Sequence, residues 1–199
     1  MEDSGFPDPL AALKADTFRQ YGYFSWLALF KGVMLARTFR PLVTMRICQY
    51  FSNSGRFFRL ALPFFKVLHR LATHSAAVDL SWQTKIGGGL ALTHGWGMVV
   101  SPGAVIGRNV TIFHGATLGR GDRIARDGSR QSGYPSVEDE VWIGLNSIIV
   151  GAVVIGLGSR VCGGAYVTED VPPYSVVAGN SGCVVKLNCT PDVMNRVEF

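Results

Sequence analysis

Ile143-Gly-Leu-Asn-Ser147, Ile149-Val-Gly-Ala-Val153, Ile155-Gly-Leu-Gly-Ser159 and Val161-Cys-Gly-Gly-Ala165, followed by Val167, decide the fold of this chain. An aliphatic residue returns every six positions, and a small or β-branched one follows four later. The same rhythm runs upstream through Val100-Ser-Pro-Gly-Ala104, Ile106-Gly-Arg-Asn-Val110, Ile112-Phe-His-Gly-Ala116 and Leu118. Neither a 3.6-residue helical period nor simple alternation reproduces it. A short internal repeat of this kind predicts a β-solenoid, whose repeats bury their apolar side only by stacking on one another. Many of the 24 glycines fall inside the repeats, where tight corners need a permissive backbone.

Working outward, Ile86-Gly-Gly-Gly-Leu90 and Leu92-Thr-His-Gly-Trp96 are two further hexads, so the solenoid is expected to begin near Asp79. The register slips by two residues around Gly97–Val99. After Leu118 it is interrupted by a polar excursion, residues 119–135, that carries Arg120, Arg123, Arg126 and Arg130. Excursions of this length are either functional or disordered. This one reads as a solvated loop or as a wall over a site for an anionic ligand. The expected organisation is an α-helical, basic and aromatic-rich region over 1–78, a solenoid over 79–187, and a tail over 188–199.

The charge is uneven. Residues 17–78 hold nine Lys or Arg and no Asp or Glu, whereas from Asp79 onward nine basic residues face ten acidic ones. An anionic partner is therefore expected at the helical region. Pro9 suits a helix start, and Pro41 and Ser52-Asn-Ser-Gly55 are expected to break the segment. Phe57-Phe-Arg-Leu-Ala-Leu-Pro-Phe-Phe-Lys-Val-Leu-His-Arg70 mixes rings with cations. Such a run either packs on the solenoid or another subunit, or lies on an anionic membrane surface. The apolar run from Tyr23 is too short to span a bilayer, and the acidic N-terminus does not read as a signal peptide. The four cysteines lack metal-type spacing and suit reduced thiols in a cytoplasmic protein, with Cys162 as a small buried hydrophobe.

His94 and His114 are the candidates to carry chemistry, with core packing the alternative reading. With three hexads per coil and the two-residue slip, both fall at the third position of a hexad, one coil apart, and are expected to stack on one corner. A neutral imidazole there could take the proton of a hydroxyl attacking an acyl carbon. Asp79, nearly one coil before His94, suits either an orienting carboxylate or a cap on the solenoid entry. A solenoid zinc site would need a third convergent histidine, and none follows His114. No metal is expected, and no nucleic-acid partner.

The stretch Asp79–Lys186 resembles the left-handed β-helix hexapeptide acyltransferases. The resemblance rests on Ala77-Val-Asp-Leu80, Lys85-Ile-Gly-Gly-Gly-Leu-Ala-Leu-Thr-His94, Gly97-Met-Val-Val100, Val105-Ile-Gly-Arg-Asn-Val-Thr-Ile112, Ala116-Thr-Leu-Gly119, Val141-Trp-Ile-Gly144, Asp170-Val-Pro-Pro173 and Val177-Ala-Gly179. It is closest to the serine acetyltransferase branch and its polysaccharide-modifying relatives of the colanic acid type. It implies acetyl-CoA as donor, a homotrimer with sites between subunits, His94 as general base and Asp79 as its partner. It further implies CoA contacts at Arg120, Leu145, Gly163 and Lys186, and acceptor contacts at His114, Tyr134 and Thr93.

The chain departs from the serine branch at Gly179-Asn-Ser-Gly-Cys183, which lacks the usual Pro-Ala, and at three further places. Thr93 stands where that branch has Asp, Gly133 and Tyr134 stand where it has an Arg-His pair that grips a carboxylate, and His114 replaces a Gln. Loss of that pair removes a bidentate hold. On these departures the expected acceptor is a sugar hydroxyl of a glycan or its lipid-linked precursor. Serine acetylation in cysteine biosynthesis is the alternative enzyme, and a non-catalytic scaffold the alternative class. A lipid-linked acceptor would make peripheral membrane contact through 17–78 useful.

Overall fold

The computed structural model describes residues 8–199; the acidic start used above against a signal peptide lies outside them. The repeats form a parallel β-solenoid of three faces. The first face stacks Val78–Leu80, Met98–Val100, Thr117–Gly119, Ile148–Val150 and Tyr166–Val167. The second stacks Lys85–Ile86, Val105–Ile106, Ser136–Val137 and Val154–Ile155. The third stacks Ala91–Thr93, Thr111–Phe113, Trp142–Ile143, Arg160–Val161 and Val176–Ala178, with Cys183–Lys186 added antiparallel at its edge.

The hexad aliphatics point inward in columns. Leu92, Ile112, Ile143, Val161 and Val177 fill the third face, and Leu80, Val100, Leu118, Ile149 and Val167 the first, all buried. Ala104, Ala116 and Ala165 take the corners, where no larger side chain is needed to close the turn. The slip read from sequence is real. Val78 pairs with Met98 and Ala91 with Thr111, twenty residues on, whereas Val99 pairs with Thr117 and Trp142 with Arg160, eighteen residues on. The excursion is a hairpin, Gly121–Ile124 against Arg130–Gly133, after which the ladder resumes with Ser136 on Val105.

Among the described residues four helices precede the solenoid: α1 (Pro9–Tyr21), α2 (Trp26–Leu35), α3 (Phe39–Asn53) and α4 (Leu62–Ala76), with a 3₁₀ turn Phe58–Ala61 before α4. Asp8 caps α1 by accepting from Leu10 N and Ala11 N. Pro41 does not break the segment as expected. It lies in the first turn of α3, where its missing N–H has no intrahelical partner to lose.

The helices close the open end of the solenoid, whose first coil would otherwise leave backbone groups unpaired. The buried Arg46 donates to Ile86 O and Gly87 O at 2.9 and 2.6 Å. The buried Asp16 accepts from Gly89 N and Leu90 N at 2.8 and 2.9 Å, and the two side chains pair at 2.8 Å. Gln49 donates to Trp82 O and Thr84 O. His69 Nε2 donates to Leu80 O and Nδ1 pairs with Thr44 Oγ1 at 2.9 Å; burial pushes the ring's pKa down. A charged pair buried in this way is expensive unless every polar atom is satisfied, and here the solenoid backbone supplies the partners.

The outer side of α4 is different. Phe64, Val67, Leu68 and Leu71, spaced as one helical stripe, are 62, 58, 36 and 61% exposed. No helix among the described residues is long and apolar enough to cross a membrane. The cysteines are free thiols; burial pushes Cys48 up to about 11, and Cys162 is half-buried rather than fully enclosed as expected.

Candidate active site

Each coil turns from the third face to the first at one corner, and these turns stack into a column. Gly115 N donates to Trp96 O, Asn146 N to His114 O, and Gly164 N to Leu145 O. The column therefore runs from His94 and Trp96 through His114 and Leu145 to Gly163. The sequence-predicted His94, His114, Leu145 and Gly163 all lie on it, and Thr93 precedes its first member.

At its head the two imidazoles meet edge to face, ring centroids 5.7 Å apart at 74°. His94 is exposed and His114 half-buried. His94 holds φ +65°, a left-handed conformation that costs a non-glycine residue of order 1–3 kcal/mol and clusters at functional sites. Gly95 follows at φ +75°, where a Cβ would come within 2.7 Å of Thr38 Cγ2, so the turn between α2 and α3 leans directly on the His94 loop. From that turn Arg37 Nη2 donates to His94 O at 2.6 Å, and its guanidinium stacks on the Trp96 ring, 3.8 Å from the centroid.

A groove of about 450 Å³ opens beside His94 over the third face, floored by Thr93, Phe113 and Trp142 and walled by Arg19 and the tail residues Asp192 and Asn195. Arg19 donates to Thr111 Oγ1 and to Met194 O, fastening α1 and the tail to the solenoid. The tail is further held by Arg160 on Asp192 and by Arg196 on Glu140. Among the described residues, four enclosed side-chain polar atoms lack a hydrogen-bond partner: Arg19 Nε, Arg37 Nη1, His114 Nδ1 and Thr84 Oγ1. Three of the four belong to residues around His94. Enclosed unpaired polar atoms cost about 1–3 kcal/mol each, so their concentration beside His94 is what a site completed by a ligand or a second subunit would show.

The other sequence-predicted residues do not join this cluster within one chain. Asp79 is exposed on the first face, opposite Val99 in the ladder. Among the described residues its side chain makes no hydrogen bond. It lines a separate cleft with Arg70 and His74, although Gly97 N donates to Ala77 O and ties the His94 loop to its strand. Arg120 and Tyr134 lie at the opposite edge of the first face; the Tyr134 ring covers Gly103, and Arg120 pairs with Asp122. Lys186 is exposed at the end of the solenoid. No group of three or more His, Cys, Asp or Glu suited to a metal occurs among the described residues. Sequence reasoning missed Arg37, Arg19 and Trp96. Trp96, two residues from His94, was the available signal; the two arginines had none, because only folding brings them to the corner.

No family model matches the chain. Serine acetyltransferase 2 of Arabidopsis thaliana is 32% identical over 161 residues, covering 81% of this chain and 47% of that protein. Soybean serine acetyltransferase complexed with serine superposes with a TM-score of 0.70 at 29% identity, over 92% of this chain and 71% of that one. Serine acetyltransferase of Brucella abortus strain S19 in complex with coenzyme A gives 0.71 at 25% identity, over 92% and 70%. The chain spans about half the length of the relatives it matches by sequence. The fold and its repeats define a hexapeptide-repeat β-solenoid protein. Within that class the chain is a homologue of the serine acetyltransferases. This corrects the expectation of a polysaccharide-modifying enzyme with a sugar acceptor: similarity in sequence and in structure runs to serine acetyltransferases.

Proposed function

We propose that this chain is an acetyl-CoA-dependent O-acetyltransferase whose acceptor is serine. The observation that carries the reading is the pair His94 and His114 at the head of a column that continues through Leu145 and Gly163. It occurs in a fold whose solved neighbours include a coenzyme A complex and a serine complex.

In this mechanism the thioester of acetyl-CoA lies at the head of the column with its pantetheine arm running past Leu145 and Gly163. The acceptor hydroxyl attacks the thioester carbonyl while His94 takes its proton. The tetrahedral intermediate collapses with cleavage of the C–S bond, and the departing thiolate recovers the proton from the imidazolium. Asp79, on the strand that the Gly97–Ala77 bond ties to the His94 loop, is the carboxylate proposed to steady the charged ring. Lys186 and Arg120 serve the CoA phosphates.

The separation of Arg120 and Tyr134 from the column of their own chain supports a homotrimer, in which the hairpin of one copy completes the groove of the next. A sister subunit is likewise the proposed cover for the α4 stripe of Phe64, Val67, Leu68 and Leu71. The lipid-linked acceptor that gave membrane placement its purpose has fallen with the sugar reading. Light scattering that finds an active monomer, or flotation of the folded protein with anionic vesicles through this stripe, would overturn the arrangement.

The test of the activity is release of CoA thiol from acetyl-CoA in the presence of L-serine, with the acetylated product weighed by mass spectrometry. His94→Ala is expected to lose about 10²–10⁴-fold in turnover while still binding CoA. Full turnover in that variant removes His94 from the mechanism.

A further inference from the structure

Helix α2 is built inside out. It turns its small residues to the protein: within it only Ala28 and Gly32 are buried. Gly32 sits so close to the Phe39 ring that an added Cβ would come within 2.6 Å of it. The large side chains are left outside. Trp26, Leu27, Phe30, Met34 and Leu35 are 63, 62, 62, 56 and 81% exposed. The first four share one stripe at helical spacing. The helix is held without that stripe. At its start Ser25 Oγ accepts from Ala28 N at 3.0 Å, and at its end Arg40 donates to Val33 O and Met34 O, at 2.7 Å each. A contiguous exposed apolar face marks a surface that something else covers.

The charges around it say what the cover is. Lys31 is exposed within the same stripe, and Tyr23 is exposed just before the helix. Arg56, Arg59, Lys66 and Arg70 of the helical region are exposed as well, and residues 17–78 hold no Asp or Glu. Large apolar side chains, amphipathic rings at one end and cations without carboxylates suit the headgroup region of an anionic bilayer. The ten residues of α2 fall short of the roughly 20 that span a bilayer, so the helix would lie in the plane of the surface. A second copy fits less well. The outer face of α2 is about 15 Å long and about 10 Å wide, far below the roughly 800 Å² per partner of a stable interface. Pairing of two such faces would also bring together the Lys31 of each copy with no carboxylate to answer them. We propose that α2 is a membrane-docking helix that lays Trp26, Leu27, Phe30 and Met34 into the surface of an anionic lipid bilayer. This face is distinct from the α4 stripe assigned above to a sister subunit, and its assignment does not rest on the acyltransferase reading.

The experiment floats the full chain with vesicles of phosphatidylcholine alone, and with vesicles that also contain phosphatidylglycerol, at low and at high salt. The wild type is expected to float with the anionic vesicles at low salt, and at least about 10-fold less with neutral ones or at high salt. The double variant Leu27→Ser with Phe30→Ser changes exposed side chains only, and its melting temperature checks that it is folded. It should lose at least about 10-fold in vesicle binding. Tryptophan emission of the wild type should shift to the blue on binding, and Trp26→Phe should remove that shift. Phe64→Ser with Leu71→Ser, in the α4 stripe, should leave flotation in place. A folded wild type that stays at the bottom of the gradient with anionic vesicles overturns the proposal. So does flotation that survives Leu27→Ser with Phe30→Ser but is lost with the α4 pair, since the docking face is then α4. If the α2 pair instead lowers the mass found by light scattering and the wild type binds no vesicle, the cover is a second copy and the membrane assignment is lost.

Discussion

The solenoid and the helical region solve the same problem by opposite means. Every coil of the solenoid satisfies its backbone on the coil beside it, in a ladder repeated from Val78 to Ala178. Its side chains need only be aliphatic inside and small at the corners. The helices instead close the open end with unique long-range bonds: Arg46 and Asp16 to residues 86–90, Gln49 to Trp82 and Thr84, His69 to Leu80. One region tolerates conservative change because its pattern is distributed. The other concentrates stability in a few polar atoms that have no substitutes.

The sharpest way to break this contrast is Arg46→Met. It leaves Asp16 charged and enclosed, and a broken buried pair typically costs 3–5 kcal/mol, about 4 being expected here by urea unfolding. A loss under about 1 kcal/mol would mean that the end of the solenoid does not depend on that pair. Ile143→Ala, in the middle of the third face, is expected to cost about 2–5 kcal/mol through lost burial and a residual cavity. Its conservative partner Ile143→Val should cost only about 0.5–1.5 kcal/mol. No comparably mild substitution is expected for Arg46, because Lys cannot reproduce its fork.

Acid tests the helical side with a smaller effect. His69 is held neutral in the fold, with its pKa pushed below the ordinary value by burial. The unfolded chain binds a proton that the native ring refuses. Stability is therefore fully present above about pH 6.5 and is lost as pH falls through that unfolded value toward the lower native one. His69→Gln, which keeps a donor toward Leu80 O, should flatten the decline of melting temperature between pH 7 and pH 5. The smallest expected effect lies in the hairpin. The Ser132 hydroxyl and the Arg130 guanidinium hold the Asp122 carboxyl below the usual range. This contribution is complete above the ordinary carboxylate pKa and disappears as pH falls through the lowered one. At neutral pH Asp122→Asn should leave the melting temperature unchanged yet speed tryptic cleavage at Arg123 and Arg126. Unchanged cleavage would mean that the hairpin is ordered by its strands alone.

What was legible in the sequence follows the same division. The hexads, the two-residue slip and the interruption after Leu118 could be read because each is a local spacing repeated many times. The stacking of His94 on His114 followed from counting residues around the coil. The acceptor was misread. The missing Arg-His pair at Gly133 and Tyr134 argued for a sugar, yet similarity in sequence and in structure runs to serine acetyltransferases. Pro41 was read as a break because its place in the first turn of a helix depends on where that helix starts.

The sequence by itself determined the solenoid, its phase, and which corner would carry the histidines, since a short period leaves the chain one economical way to bury its aliphatic side. Only the tertiary structure decided which polar atoms close the open end and which are left without partners beside His94. Those contacts join residues far apart in the chain, as Arg19 and Met194 are, 175 positions apart. No local pattern encodes them, because each is made once.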